Sequence, residues 1–585
     1  MNKLFKVIKE KYFLIIAGLL IFIFFSLTFM STNGIHFLGI NTTTESITYD
    51  EMAHIASSYQ YDHDMRMVLN PEHPILIKTL VGVPLNLINI NPTKFTYKTL
   101  ISSNNDFQWD YANDLIFKNN PTRSEEIIFT ARLSVLLINT SLLIIICFLA
   151  YKLFNKKVSL IMLSLLVFNP NVLAHASLVT FDVPSLLTTL LALLCFYGLL
   201  KNNNAKWAAY SGLSAGIASI TKYSSVVLIV FIFIFYLVYS LIHFKNHDFM
   251  HKVRMLLIYS STMMLVIVAV YLPFTYGIAK SDEHYQIYNI WYGHLSLFSK
   301  PLIDFLLSFS IPTKALAVWI DGLFITNMEV GINRSGVFLL GHSYDTGFLL
   351  QYFPIVFLTK NTIGELILFL TGIWLFIKLT FKKQADNFVE ESFALIYAFI
   401  YFSLALYSKL KLGVRHLLPL EGTLSLFVAI IFNNNWTKKI FKIKVSTIFY
   451  VLIILSITST ITAYPHYLSY YNETVGGSYN AYNVAEDSNY DWGQDYITLK
   501  NWQDANPDKQ LYFDIFAAVG IKEAYFGSDS SRYVVWYKNN LPTGSYIAVD
   551  SANITSAQAT RHFSYKQIFN KAPIRITPSI FIFEK

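Results

Sequence analysis

The stretch Phe13–Met30, FLIIAGLLIFIFFSLTFM, decides the class of this fold. It carries no charge and matches the roughly 20 apolar residues a helix needs to cross a hydrocarbon core of about 30 Å. Its apolar part outruns the roughly 7 to 15 residues of a secretory h-region, and no A-x-A-like cleavage site follows, so it reads as a retained helix. The rest of the chain agrees. Hydrophobic residues make up 54% of the 585 positions and charged residues 14%, too few charges to wet the surface of a soluble protein of this length.

Working outward from this run, further apolar stretches lie at about 127–151, 158–174, 183–200, 207–221, 224–243, 255–274, 353–377, 391–407, 416–433 and 445–463. The expectation is a polytopic α-helical membrane protein of about eleven transmembrane helices. Basic clusters alternate between them: Lys3, Lys6, Lys9 and Lys11; Lys152, Lys156 and Lys157; Lys201 and Lys206; Lys245, Lys252 and Arg254; Lys378, Lys382 and Lys383; Lys438, Lys439, Lys442 and Lys444. With the N-terminus in the cytoplasm every cluster falls on the cytoplasmic side, as the positive-inside rule requires. The chain is then expected to be a multi-pass protein of a bacterial cytoplasmic membrane.

This topology puts three long segments outside: about 31–126, about 275–352 and 464–585. After Ala463 polar, aromatic and turn-rich sequence takes over. Strands at Leu511–Phe516, Ser545–Asp550 and Ile574–Phe583, with a helix at Tyr496–Asp504, predict a small C-terminal α/β domain over 464–585 beside a membrane module over 1–463. The net charge of +8 is spread between apolar runs rather than gathered on a base-stacking surface, which excludes nucleic acid as a partner. Cys147 and Cys195 sit inside apolar runs, so the outer segments have no disulfide framework.

Chemistry-bearing residues concentrate in the first outer segment. Tyr49-Asp50-Glu51-Met52-Ala53-His54 places two carboxylates and a histidine close to the membrane, and on a helix Asp50 and His54 share a face. The same residues also fit a helix start, with Thr48 as N-cap and Glu51 completing a capping box. Asn70-Pro71-Glu72-His73-Pro74, followed by Lys78, adds an acid, a histidine and a base on a backbone that its prolines keep extended or turned. Asp182, beside Pro184 at a helix start, suits either an N-terminal cap or a site carboxylate. Cations that depart from the positive-inside pattern are Lys222, Lys409, Lys411, Arg415 and His416. Lys409 and Lys411 fit interfacial snorkelling, and Arg415 fits phosphate binding. Arg334 and His342 mark the polar, glycine-rich end of the second outer segment. Trp492 has the character of either a sugar contact or a brace between the two parts of the chain.

In order along the chain, D-E-x-x-H at Asp50–His54, N-P-E-H-P-x-L-x-K at Asn70–Lys78, Arg132, HASLVTFDVP at His175–Pro184, GVRHLLP at Gly413–Pro419, YPHYLSYYNETVGG at Tyr464–Gly477 and DSNYDWGQD at Asp487–Asp495 resemble the lipid-carrier-dependent glycosyltransferases of the GT-C superfamily. The similarity is greatest to bacterial family-39-like members, related to protein O-mannosyltransferases and aminoarabinose transferases. The resemblance implies inverting transfer of a sugar from a polyprenyl-phosphate carrier to a protein, lipid or glycan acceptor outside the cytoplasm, with Asp50, at the acidic pair with Glu51, as general base. An ordinary carboxylate is ionised at neutral pH and can take a hydroxyl proton, while a lipid phosphate leaves as a stable anion without a general acid. Arg415, His416 and Lys222 then become donor-phosphate ligands, and His54, Glu72, His73, Lys78, Asp182, Arg334 and His342 line the acceptor or active site. His54, His73, Asp50, Glu51 and Asp182 follow no recognised metal-ligand spacing, and no cofactor is assigned; a weakly held divalent metal stays open. The competing readings are a transporter or lipid flippase, against which the absence of inverted repeats counts, and a membrane-anchored glycan-binding or sensory module.

Overall fold

The computed structural model describes the chain apart from residues 1, 38–39, 43, 68, 94–106, 244–248, 277–298, 310, 332–336, 346, 382–387, 441, 519, 534–540 and 562–571. Each expected apolar run is helical, and among the described residues eight helices are long and apolar enough to cross a membrane. The other runs are shorter or broken. The 158–174 run divides into helices Lys156–Val167 and Pro170–His175, because Asn169 accepts the N–H of Val172 at 3.0 Å as N-cap and Pro170 occupies the first helical position. The 353–377 run divides into Tyr352–Lys360 and Ile363–Phe381, where the Thr362 hydroxyl accepts the N–H of Glu365 at 3.2 Å.

Both breaks meet at Glu421, in the buried helix Leu418–Asn434. Asn169 donates to Glu365 at 3.1 Å and to Glu421 at 3.2 Å, while Asn171 and Asn361 donate to the other Glu421 oxygen at 3.3 and 3.1 Å. Irregular backbone at membrane depth persists only where the protein itself satisfies its polar groups; here Asn171 donates to the carbonyl of Lys360 at 3.0 Å, Thr460 to that of Phe168 at 2.6 Å and Asn472 to those of Leu358 and Asn361 at 2.7 and 2.8 Å.

The two ends of the bundle differ as the charge pattern requires. At one end the Lys156 ammonium lies 4.9 Å from the Tyr12 ring and Lys157 lies 5.5 Å from Trp436. There Lys201 donates to the carbonyl of Leu153 at 2.9 Å, so the N-terminal segment and three basic connections meet. The opposite end gathers the three long segments. Thr326 donates to the carbonyl of Glu72, Leu339 bridges to Ala485, and the N–H groups of Ser46 and Tyr49 donate to the carbonyls of Gln494 and Trp492. The second long segment, expected as loop, instead contains the 21-residue helix Ile311–Gly331, packed against helix Phe249–Thr275.

In the C-terminal part, strands Leu511–Asp514, Tyr546–Asp550, Ile580–Glu584 and Ile574–Arg575 form one sheet in that spatial order. The first pair is parallel and the others antiparallel, and helix Tyr496–Asp504 precedes them. The expected 574–583 strand folds back on itself as a hairpin. Strand side chains alternate between faces. One face, with Phe513, Ala548, Ile580 and Ile582, packs into a core shared with Met52, Ile55, Ile127 and Val135, whereas Val549, Phe581 and Phe583 pack against Leu541 and Ile554. The C-terminal part therefore shares its main core with the first long segment and with helix Ser124–Leu153.

Candidate active site

The site grows from helix Tyr49–Asp64. Adjacent residues on a helix lie about 100° apart, so Asp50 and Glu51 face different surroundings. Glu51 is completely buried. It accepts from Arg132 Nη2 at 2.6 Å and Nε at 2.9 Å, from the N–H of Thr48 at 2.9 Å and its hydroxyl at 3.0 Å, and from the N–H of Val179 at 2.9 Å. Burial works to raise this carboxyl, but the Arg132 charge and these donors hold it below the usual range. Glu51 lines neither of the cavities described below. It ties the helix start to helix Ser124–Leu153 and to the loop before Asp182.

Asp50, Ala53 and His54, at helical i, i+3 and i+4 spacing, all face a cavity of about 370 Å³. The Nδ1–H of His54 donates to the carbonyl of Val179 at 2.7 Å, which leaves Nε2 as the acceptor nitrogen. Burial pushes its pKa down to about 4, against the upward pull of Asp50, so the ring is neutral at pH 7. His73 stands edge-on to His54 at 5.1 Å and lies 4.5 Å from Phe181, and burial holds it well below the usual histidine range.

The Asn70–Pro74 turn is held from beneath by Lys78. Its buried ammonium donates to the carbonyl of Asn70, to that of His73 at 3.0 Å and to the Tyr61 hydroxyl at 3.3 Å. Burial lowers its pKa to about 7, against Glu72. Lys78 thus shapes the loop without lining the cavity. Asn70 takes the left-handed φ of 55° that this turn needs and donates to Glu72 at 2.7 Å, and Glu72 and His73 both face the cavity.

Asp182 opens helix Asp182–Asn202 and pairs with Lys222 at 2.5 Å on the far wall, both buried. The N-cap of that helix is Phe181, and Asp182 makes its ion pair from the first turn. Arg415 enters on the short 3-10 turn Val414–Leu417. It donates to Asp50 Oδ2 at 2.8 Å, with its guanidinium 4.2 Å from the centre of the Trp492 ring. Gly413, at φ 136°, makes this approach: a Cβ there would stand 2.5 Å from the Ser488 hydroxyl. Val414 N–H donates to Asn489 at 2.8 Å, so the 486–489 turn positions the arginine.

A second cavity, of about 450 Å³, shares Tyr49, Asp50, Leu412 and Arg415 with the first. It extends toward Trp492, Phe516 and helix Ser551–Arg561. The Asp50–Arg415 pair stands where the two meet.

Of the residues singled out in the sequence, Asp50, His54, Glu72, His73, Asp182, Lys222, Arg415 and His416 converge on the first cavity. Glu51 and Lys78 stand behind it. His342 is exposed in the short strand His342–Tyr344 and lines neither cavity, and Arg334 lies outside the described residues. Lys411 is buried and donates to the carbonyls of Ala405 and Leu406 instead of snorkelling at an interface. Tyr49, Trp109 and Phe181 join the lining without having been anticipated; their aromatic character was visible, their convergence was not. Trp492 lies against Arg415 and also braces the structure, its carbonyl accepting the N–H of Tyr49. Among the described residues no three His, Cys, Asp or Glu side chains are grouped so as to hold a metal ion.

Residues 124–274 match the model of the dolichyl-phosphate-mannose-protein mannosyltransferase family. No curated protein matches the chain. Among solved structures, ArnT from Cupriavidus metallidurans bound to undecaprenyl phosphate is 13% identical with a TM-score of 0.45, covering 98% of this chain and 97% of its own. The apo oligosaccharyltransferase of Archaeoglobus fulgidus is 12% identical with a TM-score of 0.48, and 86% of this chain spans 59% of its length. The archaeal oligosaccharyltransferase AglB from Archaeoglobus fulgidus, in complex with an inhibitory peptide and a dolichol-phosphate, is 11% identical with a TM-score of 0.47, covering 95% of this chain and 71% of that one. At these values the structural likeness says nothing of the chemistry. Through residues 124–274 and its ordered motifs, the chain is similar to the dolichyl-phosphate-mannose-protein mannosyltransferases and, with them, to the lipid-carrier-dependent glycosyltransferases of the GT-C superfamily.

Proposed function

We propose that this protein transfers a sugar from a polyprenyl-phosphate carrier to an acceptor, with inversion, at the junction of the two cavities. The observation that carries the reading is the Asp50–Arg415 pair: a carboxylate and a guanidinium 2.8 Å apart, each facing both cavities. Arg415 and Lys222 line the first cavity together with His416, which suits it to the carrier phosphate. Each of these two cations already has a carboxylate partner, Asp50 and Asp182. An arriving phosphate therefore competes with Asp50 for Arg415, and binding of the donor frees the base.

In the reaction Asp50 takes the acceptor hydroxyl proton while the acceptor oxygen attacks the anomeric carbon. The carbon–oxygen bond to phosphate breaks, and its electron pair leaves on the carrier phosphate, held by Arg415. Glu51 and Lys78 are positioning residues, not reacting groups. Residues 1–463 form the membrane module, and 464–585 complete the site from outside the cytoplasm of a bacterial cell. The grouping of the three long segments at one end and of the basic connections at the other supports this orientation.

The test uses full-length protein in proteoliposomes with polyprenyl-phosphate sugars and a membrane extract as acceptor source. Consumption of the donor that falls by about 10²- to 10⁴-fold in Asp50→Asn, with folding intact, is the expected result for loss of a general base. Unchanged consumption would sink the assignment.

A further inference from the structure

The second cavity contains an electrostatic imbalance that the transfer chemistry leaves unused. Glu486, Asp487 and Asp491 all line it. Glu486 is only 8% exposed, and its buried Oε1 has no hydrogen-bond partner. Its other oxygen lies 3.5 Å from the Ser551 hydroxyl, which also reaches Asp491 Oδ2 at 3.2 Å. One hydroxyl has one proton to donate, and Asp491 also accepts the N–H of Gly493 at 3.1 Å, so Glu486 Oε1 goes without a donor whichever way the hydroxyl points. Among the described residues the cationic lining is Lys411 and Arg415, and both are engaged, Lys411 by the carbonyls of Ala405 and Leu406 and Arg415 by Asp50. Burial, with the charges of Asp491, Asp550 and Asp487, drives the Glu486 carboxyl well above its usual range.

Such a site gains from a ligand that brings positive charge and several N–H donors. The aromatic lining, Tyr49, Trp492 and Phe516, adds faces suited to a sugar ring or a cation. The 486–489 turn also positions Arg415, through Asn489 to Val414 and through the Ser488 hydroxyl to the carbonyl of Leu412. A ligand held at Glu486 therefore sits in the same cavity as Asp50.

We propose that this cavity is the acceptor subsite, and that it takes an acceptor unit bearing a protonated amine, held by Glu486 and Asp491, next to the hydroxyl presented to Asp50. The word acceptor rests on the transferase reading; the amine selectivity does not. An ammonium supplies three donors, enough to satisfy Glu486 Oε1 and the pair that shares Ser551. An N-acetylated version of the same unit has lost the charge and two of those donors.

The probes are octyl 2-amino-2-deoxyglucoside and its N-acetyl form, titrated calorimetrically at pH 7 and without donor into the full-length protein in nanodiscs. Wild type is expected to bind the amine at least about tenfold more tightly, the scale of one charge-assisted contact. Glu486→Gln is expected to bring the two affinities within about twofold. Ser556→Lys, at an exposed position on the cavity wall, supplies the cation from the protein and is expected to remove amine binding without disturbing the buried carboxyls, so it decides the matter if Glu486→Gln does not fold. Equal affinities in wild type, or a preference that survives the folded variants, overturns the proposal. Because donor is absent, amine binding by a protein that transfers no sugar would leave this site standing and sink only the transferase reading.

Discussion

Asp50 and Glu51 are neighbours of the same chemical type, and the structure assigns them opposite consequences on losing charge. Glu51→Gln replaces one carboxylate oxygen by an amide that donates. If the amide takes the Oε1 place it faces Arg132 Nε and the N–H of Val179; in the Oε2 place it faces Arg132 Nη2 and both Thr48 donors. Either orientation turns at least two hydrogen bonds into donor–donor contacts and leaves the guanidinium of Arg132, 1% exposed, without its counter-charge. Removing one partner of such a buried pair costs about 3 to 5 kcal/mol. Asp50→Asn differs, because its carboxylate is 26% exposed and makes one ion pair at the edge of two cavities. That loss leaves the buried Arg415 with the charges of Asp182 and Asp487 to offset its own, so it is expected to cost less than the loss at Glu51, about 1 to 2 kcal/mol, while removing the proposed base. Equilibrium unfolding in mixed micelles, paired with donor turnover per folded molecule, reads both. The expected pattern is an unstable Glu51→Gln that turns over when folded and a stable Asp50→Asn that does not. Glu51→Gln within about 0.5 kcal/mol of wild type would refute the reasoning, because it would mean that the five contacts are not holding the helix start.

Acidification supplies a second measurement. His54 has its folded-state pKa lowered from 6.5 to about 4, so its contribution to stability is complete above pH 6.5 and is lost as the pH falls toward 4. Over that window wild type should lose about 3 kcal/mol from this group, and His54→Gln should show a shallower pH dependence in the same unfolding assay. Lys222→Met leaves buried Asp182 without its ion-pair partner, with the charge of Arg415 to offset it only in part, and is expected to destabilise by about 3 kcal/mol; adding Asp182→Asn should recover much of this, read as a double-mutant cycle. Gly413→Ala forces a Cβ to 2.5 Å from the Ser488 hydroxyl at a φ of 136°, so Arg415 should shift. Donor KM in the variant should rise more than kcat falls, and an unchanged KM would separate Arg415 from the phosphate.

Much of the helical layout was legible because a hydrocarbon solvent enforces long apolar runs, and the lysines marked the connections around Lys156, Lys201 and Trp436 that gather at one end of the bundle. Less was legible wherever polar groups satisfy one another over long sequence distances. The runs 158–174 and 353–377 read as single helices because Asn169 and Asn361–Thr362 look like isolated polar residues; their meaning depends on Glu421, which nothing local connects to them. The site was half legible for a similar reason. Helical spacing placed Asp50 and His54 on one face, but it also offered Glu51 as an equal partner, and only the approach of Arg132 and Val179 separates the two carboxylates. Helix Ile311–Gly331, with Thr326 and Val330 on the cavity wall, went unread because Lys314, Asp321 and Glu329 interrupt its apolar pattern.

The C-terminal segment illustrates how far such interlocking goes. Its composition suggests an appended domain, yet its strands share a core with the helix that carries Asp50, and Trp492 and Gln494 accept hydrogen bonds from Tyr49 and Ser46 at the start of that helix. The Ser46 hydroxyl donates to Gly493 and accepts from Tyr496, while the Tyr49 ring stacks on Phe516 at 5.4 Å. Asp50 follows Tyr49 directly, and its partner Arg415 rests on Trp492. Asp50 and Arg415 are therefore both positioned by the same few residues after helix Val445–Ala463. The C-terminal part is therefore a wall of the second cavity and holds the start of the helix that carries Asp50, so the carboxyls Glu486 and Asp491 of the second cavity and the cations Arg415 and Lys222 of the first lie on either side of a single carboxylate.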